Sequence, residues 1–424
     1  MNMPVNKPID KLANKDSKGI SKLRSPSEPL VNNATDGPGA ILFSLAFRAF
    51  FLFGTVWAVL AIGVWALWFS GKWPLNFAIP PTLWHAHEMI FGFAACIAAG
   101  FLLTAVQTWT GLRSINGLAL MGLTLLWFIA RVSLLIGDTP ESIILFSVAQ
   151  FSWWFGVVGF FSYLIIKSKN TANRVLILLL VGMFSLNALF VIMVLKQEYA
   201  LASHFSQSAI VLFCALISLV GGRVIPFFTA RGLTQKQYKN PLLDNALFWL
   251  SLITTGVFAA QFFADFTLET SGLLIMLACG HLWRLWRWYH PGIWQVPLLW
   301  SLHLAYFAMA IGLLLVSVSL LTSLLALKDA LHLISISAVS GMILSMMSRV
   351  SLGHTGRVLK VSVSLNGAFA LLLLAGFVRA FSALTPHVVI SWQLSAGLWL
   401  TAFVLFLWHY LPVLIRARVD GKPD

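Results

Sequence analysis

Runs of about 20 apolar residues, separated by short polar segments, recur along almost the whole sequence. A helix of this length crosses the hydrocarbon core of a bilayer. The pattern predicts twelve transmembrane helices, near residues 48–69, 84–107, 116–136, 143–166, 174–195, 204–228, 245–264, 271–290, 297–321, 328–350, 361–381 and 390–414. We therefore expect an all-α polytopic membrane protein with one twelve-helix transmembrane domain over residues 41–416.

The two ends of the sequence are polar. Residues 1–40 combine Pro, Ser and Asn with scattered Lys, and they contain no apolar segment typical of a signal peptide. We expect residues 1–40 to be a disordered cytoplasmic tail and residues 417–424 to be a short cytoplasmic C-terminal tail.

Composition agrees with the membrane prediction. The chain of 424 residues is 59% hydrophobic and 10% charged, whereas soluble domains carry about 25% charged residues. The net charge of +14 lies in short loops and tails rather than on a basic face with exposed aromatic residues, so nucleic-acid binding is not expected. Cys96, Cys214 and Cys279 lie in separate apolar runs without CxxC spacing, which favours small core residues over a metal site.

Lys and Arg are concentrated in every second loop, and this bias predicts the orientation of the chain. The basic loops and tail contain Arg113; Lys167, Lys169 and Arg174; Arg231, Lys236 and Lys239; Arg284 and Arg287; Arg357 and Lys360; and Arg416, Arg418 and Lys422. Because cytoplasmic loops carry the excess of Lys and Arg, we expect both termini to be cytoplasmic and His85, His204 and His332 to lie near the outer face.

The twelve predicted helices divide into three sets of four, which start near residues 48, 174 and 297. The second helix of each set begins with a histidine and ends with a threonine that is followed by an arginine. These residues are His85, Thr110 and Arg113 in the first set, His204, Thr229 and Arg231 in the second, and His332, Thr355 and Arg357 in the third. Because internal symmetry in transporters places functional groups at the repeat interface, we predict a three-fold repeat of four helices.

Two histidines and a carboxylate lie at the start of the second predicted helix. Ionisable groups there are costly without partners, so His85, His87 and Glu88 are functional candidates. In a regular helix His85 and His87 project about 200° apart. An irregular first turn would let both face one metal ion, with His332 as a third ligand and Glu88 orienting a ligand imidazole. Three imidazoles suit copper, and ligand type does not exclude Zn²⁺; the alternative for each histidine is an interfacial hydrogen bond.

A second group of polar residues lies deeper, in the eighth and ninth predicted helices. His281 and Arg284 are one helical turn apart, and His303 lies at a similar depth on the next helix. The geometry allows a haem between these helices, with His281 and His303 as ligands and Arg284 or Arg287 near its propionates. The alternative for either histidine is an interhelical hydrogen bond.

Two further arginines lie deeper than ordinary loop charges. Arg223 and Arg349 stand near the ends of the sixth and tenth predicted helices, and we expect each to face the bundle interior or a bound anion. Gly353 and Gly356 can adopt positive φ and bring backbone amides toward such an anion.

The motifs around these candidates resemble those of the NnrS family. The resemblance rests on the segments FRAFF (47–51), WHAHEMIFG (84–92), GFLLTAVQTWTG (100–111), GRVIPFFT (222–229) and RVSLGHTGR (349–357). It extends from about residue 40 to the C-terminus and leaves the N-terminal tail outside.

The resemblance implies a haem- and copper-containing protein of the bacterial inner membrane that is linked to nitric oxide, denitrification and resistance to nitrosative stress. It implies no defined catalytic reaction, so the enzyme class stays open. The family's motifs match His85, His87, Glu88, Arg223, His281, His303, His332, His354 and Arg349.

We divide these positions between the two cofactors by their predicted depth. The outer group, His85, His87, His332 and Glu88, is assigned to copper. A second group, His281, His303, Arg284, Arg223, Arg349 and His354, is assigned to haem b. The expected partners are nitric oxide, the lipid bilayer, and a quinol or another electron donor.

Two other functions fit the same residues. A secondary transporter of a small anion or metal ion would use the repeat and the intramembrane arginines. A quinol-linked nitric oxide reductase or oxidase would need an external electron donor, because the sequence has no CxxCH site for a c-type haem.

Overall fold

The computed structural model describes residues 37–72, 77–137 and 139–422. Within these ranges the chain forms helices and no strand, which confirms the all-α prediction. Twelve long helices dominate the described ranges: α1 Ala46–Phe69, α2 Pro81–Thr110, α3 Gly117–Ile136, α4 Pro140–Lys167, α5 Arg174–Leu195, α6 Tyr199–Gly232, α7 Pro241–Ala260, α8 Thr267–Trp288, α9 Pro297–Leu321, α10 Leu327–His354, α11 Val363–Ala380 and α12 Val388–Leu414. Four short helical segments accompany them: Pro38–Leu42, Thr171–Asn173, Pro291–Gln295 and Ser382–Leu384.

Among the helices in the described ranges, eleven are long and apolar enough to cross a membrane, which supports a multi-pass membrane protein. The helix that falls below this threshold is α8, whose C-terminal half contains His281, Arg284 and Arg287. His281 and Arg284 are buried among other helices rather than exposed on the outer surface. His281 and Arg284 therefore contact protein. The helix α8 corresponds to the eighth helix predicted from the sequence.

Local sequence signals fix where the helices begin and end. Side chains of Thr139, Asn240 and Ser362 accept hydrogen bonds from the first-turn amides of α4, α7 and α11. Gly111 ends α2 in the left-handed conformation, at φ 68°, which glycine adopts without a steric penalty. Short connections between such capped ends keep consecutive helices packed side by side.

The second helix of each predicted set of four lies inside the bundle. Buried residues make up 78% of the most apolar window in α2, 61% in α6 and 78% in α10, against 22–50% in the other spans. These three helices contact one another, and α12 packs against α1 to close the surrounding layer. This placement suits a repeat of four helices, and the repeat itself stays a prediction.

Two inner helices contain a widened π-helical segment at a similar place. It covers Glu88–Ala94 in α2 and Leu333–Ser340 in α10, directly after His87 and His332. Such segments are frequent at functional sites because they redirect the side chains that follow. Since the widening begins after His87, His85 and His87 stay on a regular turn, Pro81–His87, and project to different sides of α2.

The two predicted tails are described only in part. Residues 1–36 and 423–424 lie outside the described residues, while residues 38–40 belong to the short helix Pro38–Leu42. The C-terminal segment is docked on the end of α10: Arg418 donates to the carbonyl of His354 at 2.5 Å, and the Val419 amide donates to the carbonyl of Thr355 at 3.1 Å. The described part of the C-terminal segment thus packs against the end of α10.

Candidate functional site

A cavity of about 450 Å³ lies between α1, α2, α6, α10, α11 and α12. Its lining combines aromatic rings with a few polar groups, and both His85 and His332 face it. The other lining residues that matter below are Trp65, Lys328, Arg379 and Trp392. Ligand pockets commonly have this composition, mostly apolar with a small number of placed polar groups.

The imidazoles of His85 and His332 lie opposite each other with nearly parallel planes. Their ring centres are 6.5 Å apart and the planes differ by 11°. Trp65 stacks on His85 at 4.7 Å and 19°, and Trp68 stacks on Trp65 at 5.4 Å and 21°. This row of parallel rings fixes the orientation of His85 within the cavity wall.

Hydrogen bonding leaves both imidazoles with a nitrogen for a ligand. His332 Nδ1 lies 2.6 Å from the carbonyl oxygen of Lys328; because a carbonyl only accepts, Nδ1 carries the proton and Nε2 keeps its lone pair. A carbonyl that orients one ring nitrogen while the other binds is the usual arrangement around a metal-binding histidine. His85 Nδ1 is buried and has no hydrogen-bond partner.

Two cationic side chains stand at the same cavity. Arg379, near the end of α11, pairs with Asp329 at 2.5 Å and lies 4.6 Å above the ring of Trp392. Lys328 is exposed at the start of α10, one turn before His332. The cavity therefore presents two imidazoles and two cations on a wall that otherwise consists of aliphatic, aromatic and uncharged polar side chains.

His87 and Glu88 point to the other side of α2, into a buried polar network with α1, α3, α4 and α5. Glu88 accepts a hydrogen bond from the indole of Trp57 at 2.6 Å and pairs with Arg131 at 3.2 Å. Its second oxygen lies 2.9 Å from His87 Nδ1, and Asn187 donates to His87 Nε2 at 3.0 Å. Because both nitrogens of His87 have protein partners, His87 has no lone pair left for a metal ion.

The network extends from Arg131 to α4 and α5. Gln150 accepts from Arg131 and donates to Asn187 at 2.9 Å, and Trp154 also donates to Asn187 at 2.9 Å. In the described part of the chain, no group of three or more His, Cys, Asp and Glu side chains is placed to hold a metal ion. The structure thus brings together two of the three imidazoles assigned to the outer copper site, His85 and His332, and places His87 and Glu88 elsewhere.

The deeper candidates form a separate cluster between α6, α7, α8 and α9. Tyr306 Oη lies 2.8 Å from His281 Nδ1 and accepts from Arg284 Nε at 2.9 Å. Arg284 also donates to the Ser218 carbonyl at 3.0 Å and to Asp244 at 3.1 Å. All three nitrogens of Arg284 therefore have protein partners, so the guanidinium is not directed at a ligand.

His281 and His303 each keep one unpartnered nitrogen. His303 Nδ1 donates to the Leu299 carbonyl at 2.9 Å, and Nε2 of both histidines is buried without a hydrogen-bond partner. The ring centre of Tyr306 lies 5.5 Å from that of His281, and Trp288 packs on Tyr306 at 5.1 Å. The two imidazoles stay candidate ligands, but aromatic side chains fill the space beside His281.

The other predicted cofactor-binding residues lie apart from both clusters. Arg223, which we expected to face the bundle interior or a bound anion, is exposed and donates to Asn173 at 2.6 Å and to the Ala172 carbonyl at 3.0 Å in the connection before α5. Arg349 lies 4.0 Å above the ring of Phe228 and donates to the Leu298 carbonyl at 3.4 Å. These contacts hold helix ends together.

The glycine segment around His354 faces a carboxylate of the chain itself. Gly356, at φ 72°, packs against Asp420, and the His354 ring lies 5.6 Å from that of Phe47. Arg418 donates to both oxygens of Asp420, at 2.9 and 2.7 Å, and these hydrogen bonds lower the pKa of Asp420 to about 2. A carboxylate of the C-terminal segment thus lies beside Gly356, while no other described segment lies within 4 Å of a Cβ placed on Gly353.

Several residues that shape these sites are not among the candidates predicted from the sequence. Arg131 stands in the middle of the apolar run of α3 and is fully buried, so the rule that intramembrane charges need partners would have found it. Arg379 stands in the last turn of α11 and would have been found in the same way. Asn187 and Trp65 carry no such signal, because single polar or aromatic residues in apolar runs are common.

Comparison with known families covers almost the whole transmembrane region. The family model described as NnrS protein matches residues 41–418. No curated protein matches the sequence.

Proposed function

The chain belongs to the NnrS family, and from that premise we propose that it is a haem- and copper-containing protein that protects a bacterial cell from nitric oxide and nitrosative stress. We place it in the inner membrane with both termini in the cytoplasm, because Lys and Arg are concentrated in alternate loops. The proposed cofactors are haem b and copper, and the proposed ligand is nitric oxide.

The observation that carries the proposal is the facing pair of His85 and His332. A metal–imidazole bond is about 2.0–2.1 Å long, as for zinc, and a ring nitrogen lies roughly 1.2 Å from its ring centre. One metal between two imidazoles whose nitrogens both point at it therefore needs ring centres roughly 6.4–6.6 Å apart. The observed ring-centre distance of 6.5 Å falls within this range.

The pair suits the proposed ligand as well as the metal. Ferrous haem or Cu(I) supplies the site that binds nitric oxide when the cofactor is present. The residues of the chain orient the imidazoles through Lys328 and Trp65 and surround the site with aromatic side chains. Nitric oxide is small and apolar, so it reaches such a site from the lipid.

His281 and His303 are the candidate ligands of the second cofactor. Each imidazole is held by one protein hydrogen bond and keeps Nε2 unpartnered. A buried polar nitrogen without a partner is unfavourable, and a bound metal would remove that penalty.

A titration with nitric oxide tests the proposal. Full-length protein purified in detergent from haem-replete cells is reduced with dithionite and titrated anaerobically, while its visible spectrum and EPR signal are recorded. We expect saturable formation of a metal–nitrosyl signal at about one equivalent per chain. A protein that contains iron or copper but gives no nitrosyl signal would contradict the proposed ligand, and a metal-free protein would contradict the cofactors.

A further inference from the structure

The cavity between His85 and His332 is much larger than a metal ion needs. Its volume of about 450 Å³ compares with roughly 30 Å³ for one water molecule in the liquid. Pockets that enclose organic ligands have volumes of about 300–1,000 Å³. The cavity therefore has the size of an organic group and not of an isolated copper ion.

The cavity wall matches a planar aromatic group with acidic substituents. Trp65, Trp392 and Trp399 provide apolar surface, while Arg379 and Lys328 provide positive charge. Arg379 pairs with Asp329 through Nη1, and Arg is well suited to bind a carboxylate through two nitrogens at once. A porphyrin that carries two propionates combines these properties.

The imidazoles lie on two different inner helices and face the same space. A haem iron that is bound by two histidines needs one imidazole on each side of the porphyrin, with a nitrogen of each aimed at the iron. The ring-centre distance of 6.5 Å and the 11° between planes agree with two imidazoles on one iron. The hydrogen bond from His332 Nδ1 to the Lys328 carbonyl leaves Nε2 for the metal.

We infer that His85 and His332 are the two axial ligands of the haem, and that Arg379 and Lys328 hold its propionates. This inference rests on the proposed function, and it reverses the assignment of this histidine pair to copper that depth alone suggested.

Single substitutions of the two histidines test the inference. His85→Ala and His332→Ala proteins are purified from haem-replete cells, and haem per chain, copper per chain and the low-spin EPR signal are measured. We expect each variant to lose the low-spin signal, with haem per chain at least tenfold lower or the iron converted to high spin. Added imidazole restores the low-spin signal in variants that keep haem.

His204→Ala is the matched control. His204 occupies the corresponding position in α6, but its Nε2 lies 3.0 Å from the Phe258 carbonyl and it is absent from the cavity wall. We expect this variant to keep full haem content and the low-spin signal. We also expect Arg379→Gln to keep the low-spin signal while losing haem several-fold faster to apomyoglobin, because the substitution removes a propionate contact and the ion pair with Asp329 but neither imidazole.

His332→Met keeps the inference testable if the alanine variants do not fold. Methionine is an alternative axial ligand that raises the reduction potential of haem, so we expect a raised midpoint potential. Unchanged haem and low-spin signals in both alanine variants would overturn the inference and leave the proposed function intact. Loss of copper with retention of haem would overturn it too, in favour of a copper pair. A haem-free wild-type protein would overturn both proposals together.

Discussion

Replacing Glu88 by alanine is expected to destabilise the helix bundle while leaving the His85–His332 pair in place. Glu88 is fully buried and contacts Trp57, His87 and Arg131, all on the side of α2 away from the cavity. The substitution removes the only carboxylate within 4 Å of Arg131 among the described residues. It thereby leaves the indole of Trp57 and His87 Nδ1 without their acceptor.

The size of the effect follows from these lost contacts. Removing one partner of a buried ion pair costs about 3–5 kcal/mol, because the other charge stays buried without compensation. In domains of about 150–250 residues, a loss of 1 kcal/mol lowers Tm by roughly 2–4 °C. The expected fall in Tm is therefore roughly 6–20 °C, and the lower end applies to a longer chain. Arg131→Met removes the positive charge that Glu88→Ala would leave buried without a partner. The double variant Glu88→Ala/Arg131→Met should therefore lose less unfolding free energy than the two single variants together, by about 0.5–3 kcal/mol.

Thermal unfolding in detergent, followed by tryptophan fluorescence, measures the effect, and haem per folded chain is measured on the same samples. Glu198→Ala, at an exposed carboxylate, is the control and should change stability by no more than about 0.5 kcal/mol. A Glu88→Ala protein as stable as wild type would refute the buried network. Loss of haem from protein that remains folded would refute the separation of Glu88 from the cofactor site.

Three further predictions follow from individual contacts. Gly92→Ala should lower Tm by several degrees, because a Cβ there would lie 2.8 Å from the carboxylate of Glu88. Gly122→Ala is the control: open space surrounds the new methyl group, so this variant should be neutral or stabilised by up to about 1 kcal/mol. Equal Tm values for the two variants would contradict the prediction. Tyr306→Phe should reduce stability by about 1–3 kcal/mol in the same assay, because buried donors of Arg284 lose their acceptor, and an unchanged Tm would contradict it. The Asp420 carboxyl should titrate at about pH 2 when followed by carbon NMR. Since the pKa of Asp420 is lowered in the folded protein, its contribution to stability is present above about pH 4 and is lost as the pH falls toward 2. Arg418→Gln should return the titration midpoint of Asp420 to the ordinary range of aspartate.

The helices were predictable because a membrane span leaves a strong signal. Each predicted apolar run corresponds to one long helix, and the capped starts at Pro140 and Pro241 agree with ordinary helix-start signals. The π-helical segments in α2 and α10 were not predictable, because an inserted residue in a helix leaves no compositional trace. Those segments begin after His87 and His332, so the irregular first turn that would bring His85 and His87 to one metal is not formed.

The sequence predicted which histidines are candidates for the site, but it did not predict which of them lie together in the structure. Depth along the membrane follows from loop charges, and it placed His85, His87 and His332 near the same face. Direction around the helix axis depends on packing, and it separates His87 from the other two. The partners of the buried arginines also depend on packing. Arg284 and Arg131 pair with the carboxylates of Asp244 and Glu88, and the positions of the charges in the sequence do not show these pairs.

The most direct test of the central claim is the measurement of iron and copper per chain together with the dithionite-reduced-minus-oxidised visible spectrum of the full-length protein. We predict a b-type haem band and both metals in stoichiometric amounts in protein from haem- and copper-replete cells. A colourless protein without iron and copper from the same cells would contradict the claim, and the anion or metal-ion transporter would then become the leading alternative.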